Sequence, residues 1–124
     1  MKIEVSIGEI VDKVTILNIK LKKIKNEDKL RNIKKEFDIL RSSMEHIGIG
    51  IDSAEVKELE SINNTLWDIE DRIRIKESKK EFDKDFIELA RNVYFNNDKR
   101  SEIKRKINLK YCSDLIEEKE YVEY

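Results

Sequence analysis

Proline is absent from this 124-residue chain, and glycine stands only at positions 8, 48 and 50. The two strongest helix breakers are therefore nearly missing, and nothing in the backbone forbids long uninterrupted helices. One cysteine, Cys112, excludes an internal disulfide. One histidine, His46, beside that single thiol leaves no zinc-ligand set. The longest apolar runs are a few residues, too short to span a bilayer. The opening "MKIEVSIGEI" has neither the apolar stretch nor the small-residue cleavage site of a secretory signal. These absences together predict a cytoplasmic protein without membrane insertion. No G-x-S-x-G, Walker or G-x-G-x-x-G motif occurs.

What the chain does have is charge. Charged residues make up 43% and apolar ones 39%, yet 26 basic and 27 acidic side chains leave a net charge of −1. Disorder would need sparse apolar residues and unbalanced charge, whereas here the apolar residues are periodic. Residues 20 to 35 hold eight Lys or Arg against two acids. Such a run is ordinarily a solvated face, and without interleaved aromatics it does not predict nucleic-acid binding.

The periodicity marks four helices. Ile7, Ile10, Val14, Leu17, Leu21 and Ile24 step by three and four behind Ser6 and Glu9, a capping-box pair. "KNEDK" (25–29) reads as a turn. Leu30, Ile33, Phe37, Leu40, Met44 and Ile47 form a second stripe, ended by the glycines of "GIGID". Asp52 with Glu55, or Ser53 alone, caps a third helix carrying Val56, Leu59, Ile62, Leu66, Ile69 and Ile73. A fourth runs from about residue 84 to 111, with a kink expected near "NND". The expected fold is all-α: one domain over residues 1–124, a compact antiparallel four-helix bundle-like arrangement. "KIEV" (2–5) alternates like a strand, and Tyr121 and Val122 are placed to pair with Ile3 and Val5 as a short terminal β-pair. The acidic tail "DLIEEKEYVEY" has a second option, folding back on the basic end of helix 4.

Polar residues interrupt the apolar stripes. On helix 4, Asn96, Asn97, Arg100 and Lys104 occupy nearly the sector of Phe86, Val93 and Ile107. On helix 3, Asn63, Trp67, Glu70 and Arg74 line one edge of the apolar face, with Asp71 beside them. On helix 1, Gly8, Glu9, Asp12 and Thr15 lie away from the main stripe and share a side with Ile16 and Ile19, a second apolar side that needs cover from the chain itself or from another copy. In an antiparallel bundle with level ends, Asp12 lies roughly 20 Å from the Lys25 end of helix 1. Asn63 and Arg100 lie roughly 22 and 24 Å from the Ser78 and Lys84 ends, so three polar groups share one level.

Two readings of that layer stand side by side. One is a pocket in which Arg100, Lys104 and Lys13 hold an anion, Asn63, Asn96 and Asn97 orient polar groups, and Trp67 stacks. Asp12, Glu70, Asp71 and Arg74 complete that candidate ligand-binding set. The other is an internal salt-bridge network that holds helix register. Other signals are weaker. His46 suits a helix C-terminus, and Cys112 reads as an ordinary small residue. Glu55/Glu58 and Asp68/Asp71 resemble the acidic pairs of all-helical pyrophosphohydrolases, yet a magnesium site needs three converging carboxylates. Helix 1 lacks the arginine that a helical chorismate-mutase-like site requires.

"SIGEIVDKVTILNIKL" (6–21), "LWDIEDRIR" (66–74), "ARNVYFNNDKRSEIKRKIN" (90–108) and "LIEEKEY" (115–121), in this order, resemble an uncharacterised family of short bacterial and viral proteins. The resemblance spans nearly the whole chain and implies a small helical domain, sometimes associated with glycosyltransferase or polysaccharide proteins. It also implies glycine where this chain has Cys112.

The leading expectation is a non-catalytic binding module for a small anionic ligand (nucleotide, sugar phosphate or carboxylate), with no cofactor or metal. The alternative is an interaction protein, a homo-oligomer or accessory partner of a larger enzyme, in which Ile16 and Ile19 form the interface. A magnesium-dependent phosphohydrolase ranks third.

Overall fold

The computed structural model describes residues 1–124 and consists of four helices: α1 (Ile7–Lys23), α2 (Glu27–His46), α3 (Ala54–Ser78) and α4 (Lys84–Lys110). Each begins where a short polar side chain accepts a first-turn amide that has no partner within the helix. Ser6 Oγ accepts from Glu9 N at 3.2 Å, Asn26 Oδ1 from Lys29 N at 3.0 Å, Ser53 Oγ from Val56 N at 3.4 Å and Asp83 Oδ1 from Phe86 N at 3.0 Å. The cap at Asn26 shortens the expected turn, because α2 starts at Glu27. Ser53, not Asp52, starts α3. Only half of the capping box at Ser6 forms, since the Glu9 carboxylate is drawn to Lys104.

Three helices end alike. The residue after the cap turns left-handed, at Gly48 (φ 88°), Lys80 (φ 57°) and Cys112 (φ 53°). In each case the next amide reaches back five residues: Ile49 to Met44, Glu81 to Lys76 and Ser113 to Asn108. This is the Schellman closure, which favours glycine because a Cβ crowds the left-handed backbone. The glycine that the family resemblance implies at position 112 suits this conformation. At the end of α2, Ile49 and Met44 are both 0% exposed, the apolar contact that accompanies such a turn.

Helix α1 is the hub. It packs against α2, α3 and α4, whereas α2 packs on α1 alone and α3 pairs with α4. Glu55 meets Lys110 and Lys76 meets Asp83, so α3 and α4 are antiparallel. Glu9–Lys104 and Asp12–Arg100 run α1 antiparallel to α4, and Lys13–Glu36 places α2 beside α1. The arrangement is all-α and bundle-like, with one helix at its centre rather than four around a shared axis. The core joins Val11, Val14 and Leu17 of α1 to Phe37 and Met44 of α2, Val56 and Leu59 of α3, and Ile103 and Ile107 of α4. Surrounded by three helices, α1 buries residues all round, Ile19 included at 2% exposure. Ile16 is half-buried against the same neighbours. Of the apolar side that suggested a second copy, Ile19 is covered by the protein's own chain, whereas Ile16 stays partly open.

Two expectations require correction. No strand forms, so Tyr121 and Val122 do not pair with Ile3 and Val5. Residues 114–124 instead lie along α4, where Glu117 and Glu118 meet Lys104 and Arg105, and the Tyr124 hydroxyl donates to Asp98. Ion pairs with the basic end of α4 outcompete a two-stranded pair that has no third strand or apolar cover. Helix α4 also runs without interruption through Asn96, Asn97 and Asp98.

Helices α1 and α4 approach closely at Gly8. A Cβ there would stand 2.6 Å from the Lys104 carbonyl oxygen and 3.0 Å from Asn108 Oδ1. The bare backbone lets Gly8 N donate to the buried Asn108 Oδ1 at 2.6 Å. Gly8→Ala must push α1 off α4, and denaturant unfolding should show a loss of about 1–3 kcal/mol. Unchanged stability would show that this contact is not tight.

Candidate functional site

Spacing alone explains why a polar layer forms inside this helical protein. Asn96, Arg100, Lys104 and Asn108 recur at every fourth residue of α4, so they lie on one face, and that face turns toward α1. Antiparallel α1 presents Asp12, Glu9 and Gly8 in reverse order. The result is a ladder: Arg100 with Asp12, Lys104 with Glu9, and Asn108 with the Gly8 amide.

Asp12 is the deepest charge, 1% exposed. Arg100 donates to it from Nε at 2.9 Å and from Nη2 as well, a two-pronged pair. Asn63 Nδ2 donates to Asp12 Oδ1 at 2.9 Å and to Thr15 Oγ1 at 2.8 Å, which ties α3 into the same layer. The Thr15 hydroxyl in turn donates to the Asp12 carbonyl at 2.7 Å. No buried side-chain nitrogen or oxygen lacks a hydrogen-bond partner. Hydrogen bonding to Asp12 holds the Arg100 guanidinium above its ordinary pKa against the opposing effect of burial.

Lys104 forms the second rung, 8% exposed. Its Nζ donates to Glu9 Oε2 at 2.8 Å and Glu117 Oε2 at 3.3 Å. Burial works against its charge, but the Glu9 hydrogen bond and the charges of Asp12, Glu9 and Glu117 outweigh it, and its pKa is raised. Glu117 shows the converse. Burial disfavours its carboxylate, yet the charge and hydrogen bond of Lys104, helped by Lys119, bring its pKa below the ordinary 4.5.

Beside this layer α1, α3 and α4 enclose a cleft of about 560 Å³. Ile16, Ile19 and Leu66 supply apolar wall, and the half-buried Trp67 supplies a flat ring. Seven of the eleven expected site residues line it: Asn63, Trp67, Glu70, Asp71, Arg74, Asn97 and Arg100. The other four lie elsewhere. Asp12 is buried beneath Arg100 and Asn63. Lys13 is exposed and pairs with Glu36 of α2 at 3.3 Å. Asn96 is buried and returns its amide to the Asn92 carbonyl at 2.8 Å. Lys104 faces Glu9 and the C-terminal segment, so the three-cation floor expected of Arg100, Lys104 and Lys13 does not assemble.

Thr15, Asn108 and Glu117 belong to the layer but not to the expected set. Asn108 had a legible signal, the next step of the Asn96–Arg100–Lys104 series. Glu117 had none beyond the acidity of its segment. Charges in the cleft balance, with Arg74 and Arg100 against Glu70 and Asp71, and Arg74 Nε lies 3.5 Å from Glu70. Arg100 uses only Nε and Nη2 on Asp12, leaving its Nη1 edge without a protein partner. No three His, Cys, Asp or Glu side chains converge anywhere. Glu55 is taken by Lys110 and Asp68 by Lys23, so the arrangement a magnesium phosphohydrolase needs is not formed. No helix is long and apolar enough to cross a membrane.

The family described as "Family of unknown function (DUF6165)" matches residues 1–123. The chain belongs to this family. No curated protein and no solved structure matches it.

Two outcomes test the layer. Arg100→Met strands a carboxylate that is 1% exposed and should cost about 3–5 kcal/mol of unfolding free energy. Adding Asp12→Asn removes that charge while keeping an acceptor for Asn63, so the double variant should be more stable than Arg100→Met alone. A double variant weaker than the single would show that Asp12 is stabilising without its arginine. The lowered pKa of Glu117 means that its pairing contributes fully above the ordinary 4.5 and is lost as pH falls through the lower folded value. Amide NMR signals of residues 114–124 should therefore stay native-like at neutral pH and shift toward random coil only on acidification below 4.5. Release of the segment already at neutral pH would contradict the pairing.

Proposed function

We propose that this protein is a non-catalytic binding module and that the cleft between α1, α3 and α4 receives a small anionic ligand that also carries hydroxyl groups. One observation carries this reading: the ring of Trp67, the unshared edge of Arg100 and the side chains of Asn97, Glu70, Asp71 and Arg74 meet in one open cleft. Every buried polar atom beneath is already paired. The layer under the cleft needs no ligand to be stable, and it presents Arg100 in a fixed orientation, which limits the entropy lost on binding.

The chemistry of the wall selects the ligand. Guanidinium edges favour phosphate or carboxylate oxygens. Glu70 and Asp71 accept hydrogen bonds from hydroxyls and repel a bare polyanion. Trp67 and Leu66 suit a ring. A nucleotide or a sugar phosphate meets all three conditions better than a simple dicarboxylate does. The internal network supports the alternative reading only for Asp12, Thr15 and Lys104, whose contacts hold helix register. Cys112 is an exposed free thiol, which fits action in the reducing cytoplasm.

Trp67 is the only tryptophan, so its fluorescence reports on the cleft directly. Titration with nucleotides and sugar phosphates should change its emission and raise Tm for at least one probe. Arg74→Ala, at a side chain 79% exposed, should leave the fold intact and weaken that binding by roughly tenfold, the worth of one charge-assisted hydrogen bond. No response in emission or Tm to either class would overturn the proposal.

A further inference from the structure

The cleft does not stop at α4. Asn97 and Arg100, which close one side of it, also line an adjoining groove of about 550 Å³. The C-terminal segment makes the far wall of that groove with Lys119, Tyr121, Val122 and Tyr124, while Tyr94 and Asp98 of α4 lie along its base. The segment is held at both ends. Glu117 and Glu118 are fastened to Lys104 and Arg105 at 3.3 and 2.8 Å. At the other end the Tyr124 ring packs on Tyr94 and Phe95, with centroids 5.2 and 5.0 Å apart, and its hydroxyl donates to Asp98. That hydrogen bond, with burial also acting in the same direction, pushes the Tyr124 phenol up to about 12. Between these anchors Tyr121 is 69% exposed and lines the groove, with Lys119 Nζ 5.9 Å from the centre of its ring.

The two lobes repeat one chemistry on either side of a shared junction. Each holds an aromatic ring, Trp67 in one and Tyr121 in the other, and each holds carboxylates: Glu70 and Asp71 in one, Asp98 in the other. A ring stacks a flat moiety, and carboxylates accept from its hydroxyls. The junction differs. Asn97 and Arg100 sit one helical turn apart, and the free guanidinium edge and the amide can both donate there. Donors at a junction between two ring-binding lobes fit an anionic linker between two rings.

We infer that cleft and groove form one two-lobed site for a nucleoside diphosphate conjugate, a ligand with two ring systems joined through a diphosphate. This rests on the cleft being a ligand site and extends it across α4. Arg100 holds the diphosphate on the edge that Asp12 leaves free, and Trp67 and Tyr121 stack one ring each. Mononucleotides and sugar phosphates are half-ligands that fill one lobe. The C-terminal segment is then a wall of the site.

Calorimetric titration of the full chain with a matched set tests this: UDP-glucose and NAD as conjugates, with UMP and glucose 1-phosphate as the halves of the first and AMP and nicotinamide mononucleotide as the halves of the second. A conjugate should bind roughly a hundredfold more tightly than either of its halves, since the second lobe is filled intramolecularly. Tyr121→Ala, at an exposed position outside the core, should lose most of that advantage while still binding the half that Trp67 reports. Equal affinity for conjugate and halves, or an advantage untouched by Tyr121→Ala, overturns the two-lobed site and leaves the cleft proposal standing. Failure of every probe, halves included, overturns both.

Discussion

A carboxylate almost wholly removed from water governs the architecture. Isolated, the Asp12 charge would be too costly to bury, and it persists only because Arg100 grips it with two nitrogens and Asn63 adds a third donor. Those partners come from two different helices. Satisfying one charge on α1 therefore fixes the height of α3 and of α4 together, to within the tolerance of a hydrogen bond. The apolar core alone would tolerate a slip of one helical turn, because Leu, Ile and Val stripes repeat. The Asp12 cluster does not.

Much of this was legible in the sequence. Helix starts follow from Ser6, Ser53 and the helical steps behind them, and the rise per residue alone puts Asp12, Asn63 and Arg100 at a common height. What did not follow was rotation. Lys13 and Asp12 are neighbours in sequence but lie 100° apart around α1, enough to send the lysine to Glu36 while the aspartate enters the core. Lys104 is the reverse case: its position on α4 was right, but a long flexible side chain takes whichever carboxylates lie nearest. Those are Glu9 and Glu117, one of them in a segment that periodicity cannot place. Alternation in "KIEV" suggested a strand because alternation is all a four-residue pattern offers. Whether a partner strand exists is a tertiary question.

The layer and the cleft divide the labour between them. The buried rungs, Asp12–Arg100 and Glu9–Lys104, are saturated and belong to folding. The rim, the half-buried Trp67 with Glu70, Asp71 and Arg74, contributes little to the core and is the part that the proposed ligand would meet. Arg100 belongs to both groups: one edge is committed to the interior and the other faces outward. Such sharing gives a binding group the rigidity of a core residue, which a freely moving surface arginine lacks.

The central position of α1 has a consequence for how the chain reaches this state. Its amides at Ile7 and Gly8 bind Ser113 and Asn108, partners 106 and 100 residues further along. The contacts with α2 are local, whereas those with α3 and α4 close long loops, so the α1–α2 hairpin can form early but only half-dressed. During synthesis α1 is made before the other helices and completed last. Until α4 arrives, the open flank of α1 carries Asp12, Glu9 and Thr15 among its apolar residues, and that charge keeps the unfinished hairpin hydrated where a wholly apolar flank would be free to aggregate.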